Sequence, residues 1–153
     1  MKKAILVVSF GTSYIDTLKV TIEKAENQIR DYFNDYDTYR AFTSHKIIKK
    51  LKEKYEMFID TPEEMLEKLY EQGYDEVIMQ PLHIIPGEEF IYINKIGELY
   101  KDKFKSLKIG RPIFYYQGIE ELPQDYSLFI EATKKLYEEN NAVVYVGHGT
   151  AHS

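Results

Sequence analysis

Short apolar runs rich in β-branched residues alternate along this chain with longer amphipathic segments, and that alternation constrains the fold more than any other feature. Residues 4–8, Ala-Ile-Leu-Val-Val, are continuously apolar, the pattern of a strand buried on both faces. Gly11 breaks the run. Ile15, Leu18, Ile22, Ala25, Ile29 and Tyr32 then recur at helical spacing, with Ser13 placed to cap the helix. The pattern repeats. Residues 37–41 read as a second strand and 44–58 as a helix carrying Ile47, Ile48, Leu51 and Tyr55 inward. Thr61-Pro62-Glu63-Glu64 is a helix start with a capping box and a proline at the first helical position. Met65, Leu66 and Leu69 supply its apolar stripe, and Gly73 stops it. Residues 76–80 read as the third strand, 81–87 as a loop and 88–104 as a helix. A fourth strand over 108–115 lies near an edge or at a bend, because Pro112 cannot donate to a ladder. A helix over 124–139 carries Phe129, Ala132, Thr133 and Leu136, and a fifth apolar run, 142–146, ends at Gly147.

Strands that alternate with helices imply right-handed βαβ crossovers. The expected fold is therefore α/β: a parallel sheet of about five strands, helices on both faces, in a flavodoxin-like order. The 153 residues read as one domain, 1–153, without linker, low-complexity segment or repeat. Hydrophobic residues at 44% and charged residues at 29% argue against disorder. There is no cysteine, so disulfides, thiolate zinc sites, iron–sulfur clusters and cysteine nucleophiles are excluded. Any metal must be held by His, Asp, Glu, backbone oxygen or the substrate itself. The net charge of −5 and the lack of a basic stripe argue against nucleic acid. Lys49, Lys50, Lys52 and Lys54 are interleaved with Glu53 and Glu56, which reads as a solvated helix face. The apolar start is too short for a signal peptide, and no stretch approaches the roughly 20 apolar residues of a membrane span. A cytoplasmic location is expected.

Ligands of open parallel sheets bind beyond the carboxyl ends of the strands. Those ends carry Ser9-Phe10-Gly11-Thr12-Ser13, then Phe42-Thr43-Ser44-His45, then Leu82-His83 leading to Glu88-Glu89, and Gly147-His148-Gly149-Thr150. Glycines flanking His148 leave its ring unshielded, so it can ligate a divalent metal or accept a proton; a loop histidine bonded once to backbone is the plainer alternative. His148 and His152 lie four apart and could share a metal if a helix begins there, although fraying is the default at a terminus. Glu88 and Glu89 suit a helix N-terminus without any function, and with His83 they also form an N/O ligand set for Co²⁺, Ni²⁺, Fe²⁺ or Zn²⁺. Residues 9–13 offer hydroxyls and free N–H groups at a helix start, an incipient anion site. The P-loop, the dinucleotide fingerprint and the serine-hydrolase elbow are all missing, so no nucleotide or organic cofactor is expected.

Val8-Ser9-Phe10-Gly11-Thr12-Ser13, Arg40-Ala41-Phe42-Thr43-Ser44, Leu82-His83-Ile84-Ile85-Pro86-Gly87-Glu88-Glu89 and Gly147-His148-Gly149-Thr150 together resemble, in order and spacing, the anaerobic sirohydrochlorin cobaltochelatases. These are class II chelatases of cobalamin biosynthesis and relatives of ferrochelatase. The resemblance covers the whole chain and implies the amino-terminal half of an architecture in which two similar α/β halves face each other across a tetrapyrrole. It implies insertion of Co²⁺, as substrate metal, into sirohydrochlorin without ATP. It places His148 as metal ligand and proton acceptor, and Glu89, with Glu88 second to it, as the acidic residue of the cleft. His152 is a further candidate ligand. Residues 9–13 and His83 would lie against the macrocycle, and Lys46 or Arg40 could meet its carboxylates. The family's second active-site histidine belongs to a half that this sequence does not contain. Two copies could rebuild the cleft as a homodimer, facing His148 with its own copy. The alternative is a half-domain that binds metal or tetrapyrrole without turnover.

Overall fold

The computed structural model describes residues 1–139, 142–147 and 149. The chain runs β1 (Lys3–Ser9), α1 (Ile15–Val20), α2 (Ile22–Tyr32), β2 (Asp37–Phe42), α3 (His45–Tyr55), α4 (Pro62–Glu71), β3 (Glu76–Pro81), α5 (Glu88–Tyr100), a 3₁₀ turn (Lys101–Lys103), β4 (Ser106–Ile109) and α6 (Asp125–Glu139). The strands form one parallel sheet in the order β2-β1-β3-β4, the start of the flavodoxin-like order. Four strands are found among the described residues, against about five expected.

Side chains of β1 alternate between two buried faces, which is why the run reads as continuously apolar. Ala4, Leu6 and Val8 join Ala41, Val77 and Met79 under α4 and α5, whose Leu66, Leu69, Ile93 and Ile96 complete the main core. In the parallel register Ser9 pairs with Phe42, so Phe42 shares the opposite face with Ile5 and Val7. There Leu18, Phe42 and Leu51 form a second cluster beneath α1 and α3. Gly97 lets α5 come close to the sheet: a Cβ there would lie 2.4 Å from Ile109 Cδ1. On the second face a groove of about 590 Å³ runs between α2 and β3, lined by Ile5, Ile22, Ile29, Phe33 and Ile78.

The capping box of α4 forms as the sequence predicts: Glu64 N–H donates to Thr61 Oγ1, and Thr61 N–H donates to Glu64 Oε2 at 2.8 Å. Other expectations are corrected. The first helix is interrupted at Thr21, whose hydroxyl donates to the Thr17 carbonyl at 2.6 Å. Such back-bonding by a β-branched residue competes with the helix ladder and bends it. Tyr14, not Ser13, is the N-cap of α1, and no side chain caps it there. β4 ends at Ile109 rather than running to 115. Gly110 passes against the Gln80 amide, Pro112 has no N–H, and Ile113 and Phe114 donate instead to the carbonyls of His83 and Ile84. Residues 142–146, expected as a fifth strand, have no regular structure, and Val144 and Val146 are exposed. Tyr145 turns onto α6 instead, its ring against Phe129 and its hydroxyl 2.8 Å from that of Tyr137. On the expected face of α6, Phe129 and Thr133 are half-buried, whereas Ala132 and Leu136 are exposed.

One buried carboxylate ties the long loop after β4 to α6. Asp125 is 2% exposed and accepts from Tyr116 N–H at 2.8 Å, Tyr115 N–H at 2.9 Å and Arg111 Nη2 at 2.8 Å. The Tyr116 N–H above all, then the Tyr115 N–H and Arg111, hold this carboxyl below the usual range, against an opposing push from burial. A carboxyl depressed in the folded state contributes stability above its unfolded pKa of about 3.9, and loses it as pH falls through the lower folded value. Unfolding of the native chain should therefore become more pH-sensitive below about pH 4 than that of Asp125→Asn. Parallel acid limbs for the two proteins would contradict this role.

Candidate functional site

The carboxyl edge of the sheet is drawn together by backbone. Thr43 N–H donates to the Ser9 carbonyl at 2.9 Å, Ser44 N–H to the Phe10 carbonyl at 3.3 Å, and Leu82 N–H to the Val8 carbonyl at 2.8 Å. The exits of β1, β2 and β3 thus lie side by side, as the sequence predicts. Gly11 makes the first exit: its φ of +94° is strained for other residues, and a Cβ would sit 2.5 Å from the Phe42 ring. Gly11→Ala should lower stability by about 2–4 kcal/mol through strain and overpacking. An unchanged denaturation midpoint would show that the turn relaxes.

The residues of this turn play different parts. Ser9 is buried, Phe10 is exposed, and Gly11, Thr12 and Ser13 are half-buried. Thr12 Oγ1 accepts from Tyr14 N–H at 3.2 Å, closing the loop on itself. α1 is only six residues long, so the anion site expected from a helix N-terminus has little helix behind it.

His83 stands half-buried just past β3. Both of its ring nitrogens are shielded from solvent with no hydrogen-bond partner among the described residues, and the same is true of Ser9 Oγ and Thr43 Oγ1. Burial pushes the His83 pKa down and the nearby Glu89 carboxylate opposes it. Unpaired polar atoms at such a depth are unfavourable, and these three residues gather at one sheet edge.

The helical spacing of α5 separates the two glutamates. Glu89, Tyr92, Ile93 and Ile96 share the stripe that faces the core, whereas Glu88 is exposed beside it. Glu89 is half-buried and acts electrostatically on both His83 and Tyr92. Tyr92, one turn further on, donates its hydroxyl hydrogen bond to Glu63 in the first turn of α4. Tyr92 and Glu63 were not singled out from sequence. Glu63 appears there only within the start of α4, and Tyr92 carries no local signal; their pairing is visible only once α4 and α5 lie together.

Arg40 is not available to a substrate. Its guanidinium is bound in two places by the buried Glu26, with Nε at 2.7 Å from Oε1 and Nη2 on Oε2, and Glu23 lies 4.0 Å away. Lys46 is exposed at the start of α3, and Lys50 stands 5.6 Å above the Tyr14 ring. Among the described residues no group of three or more His, Asp or Glu converges to hold a metal. His148 and His152 lie outside the described residues; the neighbouring Gly149 takes a φ of +80°.

The fold is a parallel α/β domain whose sheet carries at its carboxyl edge a histidine, a carboxylate and hydroxyls unpaired among the described residues, with exposed Phe10 and Ile84 beside them. Residues 3–153 match the profile of the cobalt chelatase (CbiK) family. The chain is 39% identical over 155 aligned positions to the sirohydrochlorin cobaltochelatase of Salmonella typhimurium strain LT2, an alignment covering 99% of this chain and 56% of that one. It is 27% identical over 153 positions to the sirohydrochlorin cobaltochelatase CbiKC of Nitratidesulfovibrio vulgaris strain Hildenborough, covering 99% of this chain and 53% of the relative. The chain belongs to the cobalt chelatase (CbiK) family. It spans about half the length of the curated relatives it matches.

Proposed function

We propose that this chain takes part in inserting Co²⁺ into sirohydrochlorin, as its relatives' names describe, without ATP and in the cytoplasm as a step of anaerobic cobalamin biosynthesis. The observation that carries the reading is the placement of Glu89. It continues the core-facing stripe of α5 out to the carboxyl edge of the sheet, where it acts on the half-buried His83 and stands apart from the exposed Glu88. No helix among the described residues is long and apolar enough to cross a membrane.

In this reading Glu89 holds the incoming dication while it sheds water, and His148 completes its ligands and takes a pyrrole proton. Glu88 and His152 are subordinate candidates for the metal. Insertion exchanges one M²⁺ for two N–H protons, so a neutral imidazole and a carboxylate are suitable acceptors near neutral pH. Phe10 and Ile84, 51% and 58% exposed, offer apolar surface to a flat macrocycle. Gly11, Thr12 and Ser13 supply polar contacts around it, and Ser9 and His83, whose polar side-chain atoms are shielded from solvent, would have to be uncovered to join them. Lys46 and Lys50 can meet the peripheral carboxylates, a task that Arg40 cannot perform while Glu26 holds it. A second copy of the chain would close the other side of the cleft and set His148 opposite its counterpart.

Titration of sirohydrochlorin into the protein, followed by the macrocycle's absorbance, tests the binding part of this reading. Saturable binding, weakened in Phe10→Ala, is expected; no saturable binding would refute it. A second reading is binding without turnover. Saturable binding with no metal insertion is its distinguishing result.

A further inference from the structure

Helices α4 and α5 lie side by side on the main core, and both begin at the carboxyl edge of the sheet. Their starts are secured differently. α4 has a complete capping box from Thr61 and Glu64, so Glu63 is not needed to cap it. α5 starts at Gly87 with no side-chain cap at all, although Glu89 lies in its first turn. The Phe90 ring meets that of Tyr115 in this first turn, and the side-chain hydrogen bond that ties the start of α5 to α4 is Tyr92–Glu63, one turn below Glu89 on the same stripe. Glu63 uses only Oε1 for it. Its Oε2 is buried with no partner among the described residues. A half-paired, shielded carboxylate is a poor device for stability alone, because an apolar pair at the same place would leave no polar atom unpaired.

We propose that Tyr92 and Glu63 are positioning residues for Glu89: their cross-helix hydrogen bond fixes the first turn of α5 so that the Glu89 carboxylate is pre-set for a divalent metal ion. The inference rests on the reading of Glu89 as a metal-holding residue. Neither Tyr92 nor Glu63 touches the metal. They act by limiting the orientations Glu89 can take, which reduces the ordering that binding would otherwise require.

The test is Co²⁺ binding to the whole chain without tetrapyrrole, followed by paramagnetic shifts and broadening in amide NMR spectra, a readout independent of catalysis. Tyr92→Phe removes the hydrogen bond and should weaken Co²⁺ about five- to tenfold, the loss expected from one such bond. Glu63→Gln keeps an acceptor for the Tyr92 hydroxyl and should stay within about twofold of the native chain, whereas Glu63→Ala should match Tyr92→Phe. In a Glu89→Asp background, which keeps a carboxylate but sets it back, Tyr92→Phe should weaken the residual Co²⁺ binding less than it does in the native chain, a coupling that a merely structural role would not produce. If Glu89→Ala abolishes the paramagnetic effects and Tyr92→Phe leaves them unchanged, the inference fails while the reading of Glu89 stands. If the native chain shows no Co²⁺ effect near α5, both fail together.

Discussion

Glu89→Gln is expected to reduce Co²⁺ insertion at least about a hundredfold, the range lost when a positioned acid–base group is removed, while leaving the fold intact. The amide keeps the size of the side chain and its place on α5 but gives up the charge that would hold a dication and accept a proton. Glu88→Gln, one residue away, should change the rate by less than about twofold, since an exposed first-turn carboxylate contributes little beyond its interaction with the helix dipole. The contrast between neighbours is the sharp part of the prediction. Both glutamates sit in the first turn of α5, and only Glu89 lies on the stripe that runs down through Tyr92 and Ile93 into the core. Equal losses in the two variants, read as kcat at saturating metal and tetrapyrrole, would mean that the stripe does not select between them.

Arg40→Met should be strongly destabilising, at about 3–5 kcal/mol, because it strands a carboxylate inside the protein. Glu26 is 3% exposed, and Arg40 satisfies both of its oxygens. Removing the cation leaves the charge uncompensated, whereas removing both partners leaves only apolar surface. The double variant Arg40→Met, Glu26→Leu should therefore recover most of the loss, and urea unfolding of the four proteins gives the coupling directly. Additive losses would show that the pair is not held as the geometry indicates. The result also bears on substrate recognition. A guanidinium committed to this pair cannot reach a macrocycle's carboxylates, and the exposed Lys46 and Lys50 are left for that task.

The parallel sheet was legible because β1 is buried on both faces and cannot disguise itself. Its uninterrupted Ala4–Val8 run, the turn at Gly11 and the capping box at Thr61 each have a local physical cause. The elements misjudged depend on distant partners. Residues 142–146 have the composition of a strand, yet Tyr145 finds its neighbours on α6 rather than on the edge of β4. The fourth strand was drawn too long because nothing local reveals that Ile113 and Phe114 donate to the loop after β3. Thr21 splits the first helix by a hydroxyl bond that apolar spacing does not register. The strand-end rule put Ser9, His83 and Glu89 forward, since it depends only on where strands stop, and the structure places them at the carboxyl edge of the sheet. It did not reveal the Tyr92–Glu63 bridge, and the suggestion of Arg40 for the macrocycle's carboxylates missed its pairing with Glu26, because both depend on which elements lie together. The expected roles of His148 and His152 fall outside the described residues.

The most direct measurement of the central claim is anaerobic Co²⁺ insertion into sirohydrochlorin, without ATP, on protein whose mass in solution has just been determined. The account predicts multiple turnovers by a dimer, followed by the macrocycle's absorbance change and lost in His148→Ala. A folded dimer that binds sirohydrochlorin but never inserts the metal would contradict it, as would undiminished insertion by His148→Ala.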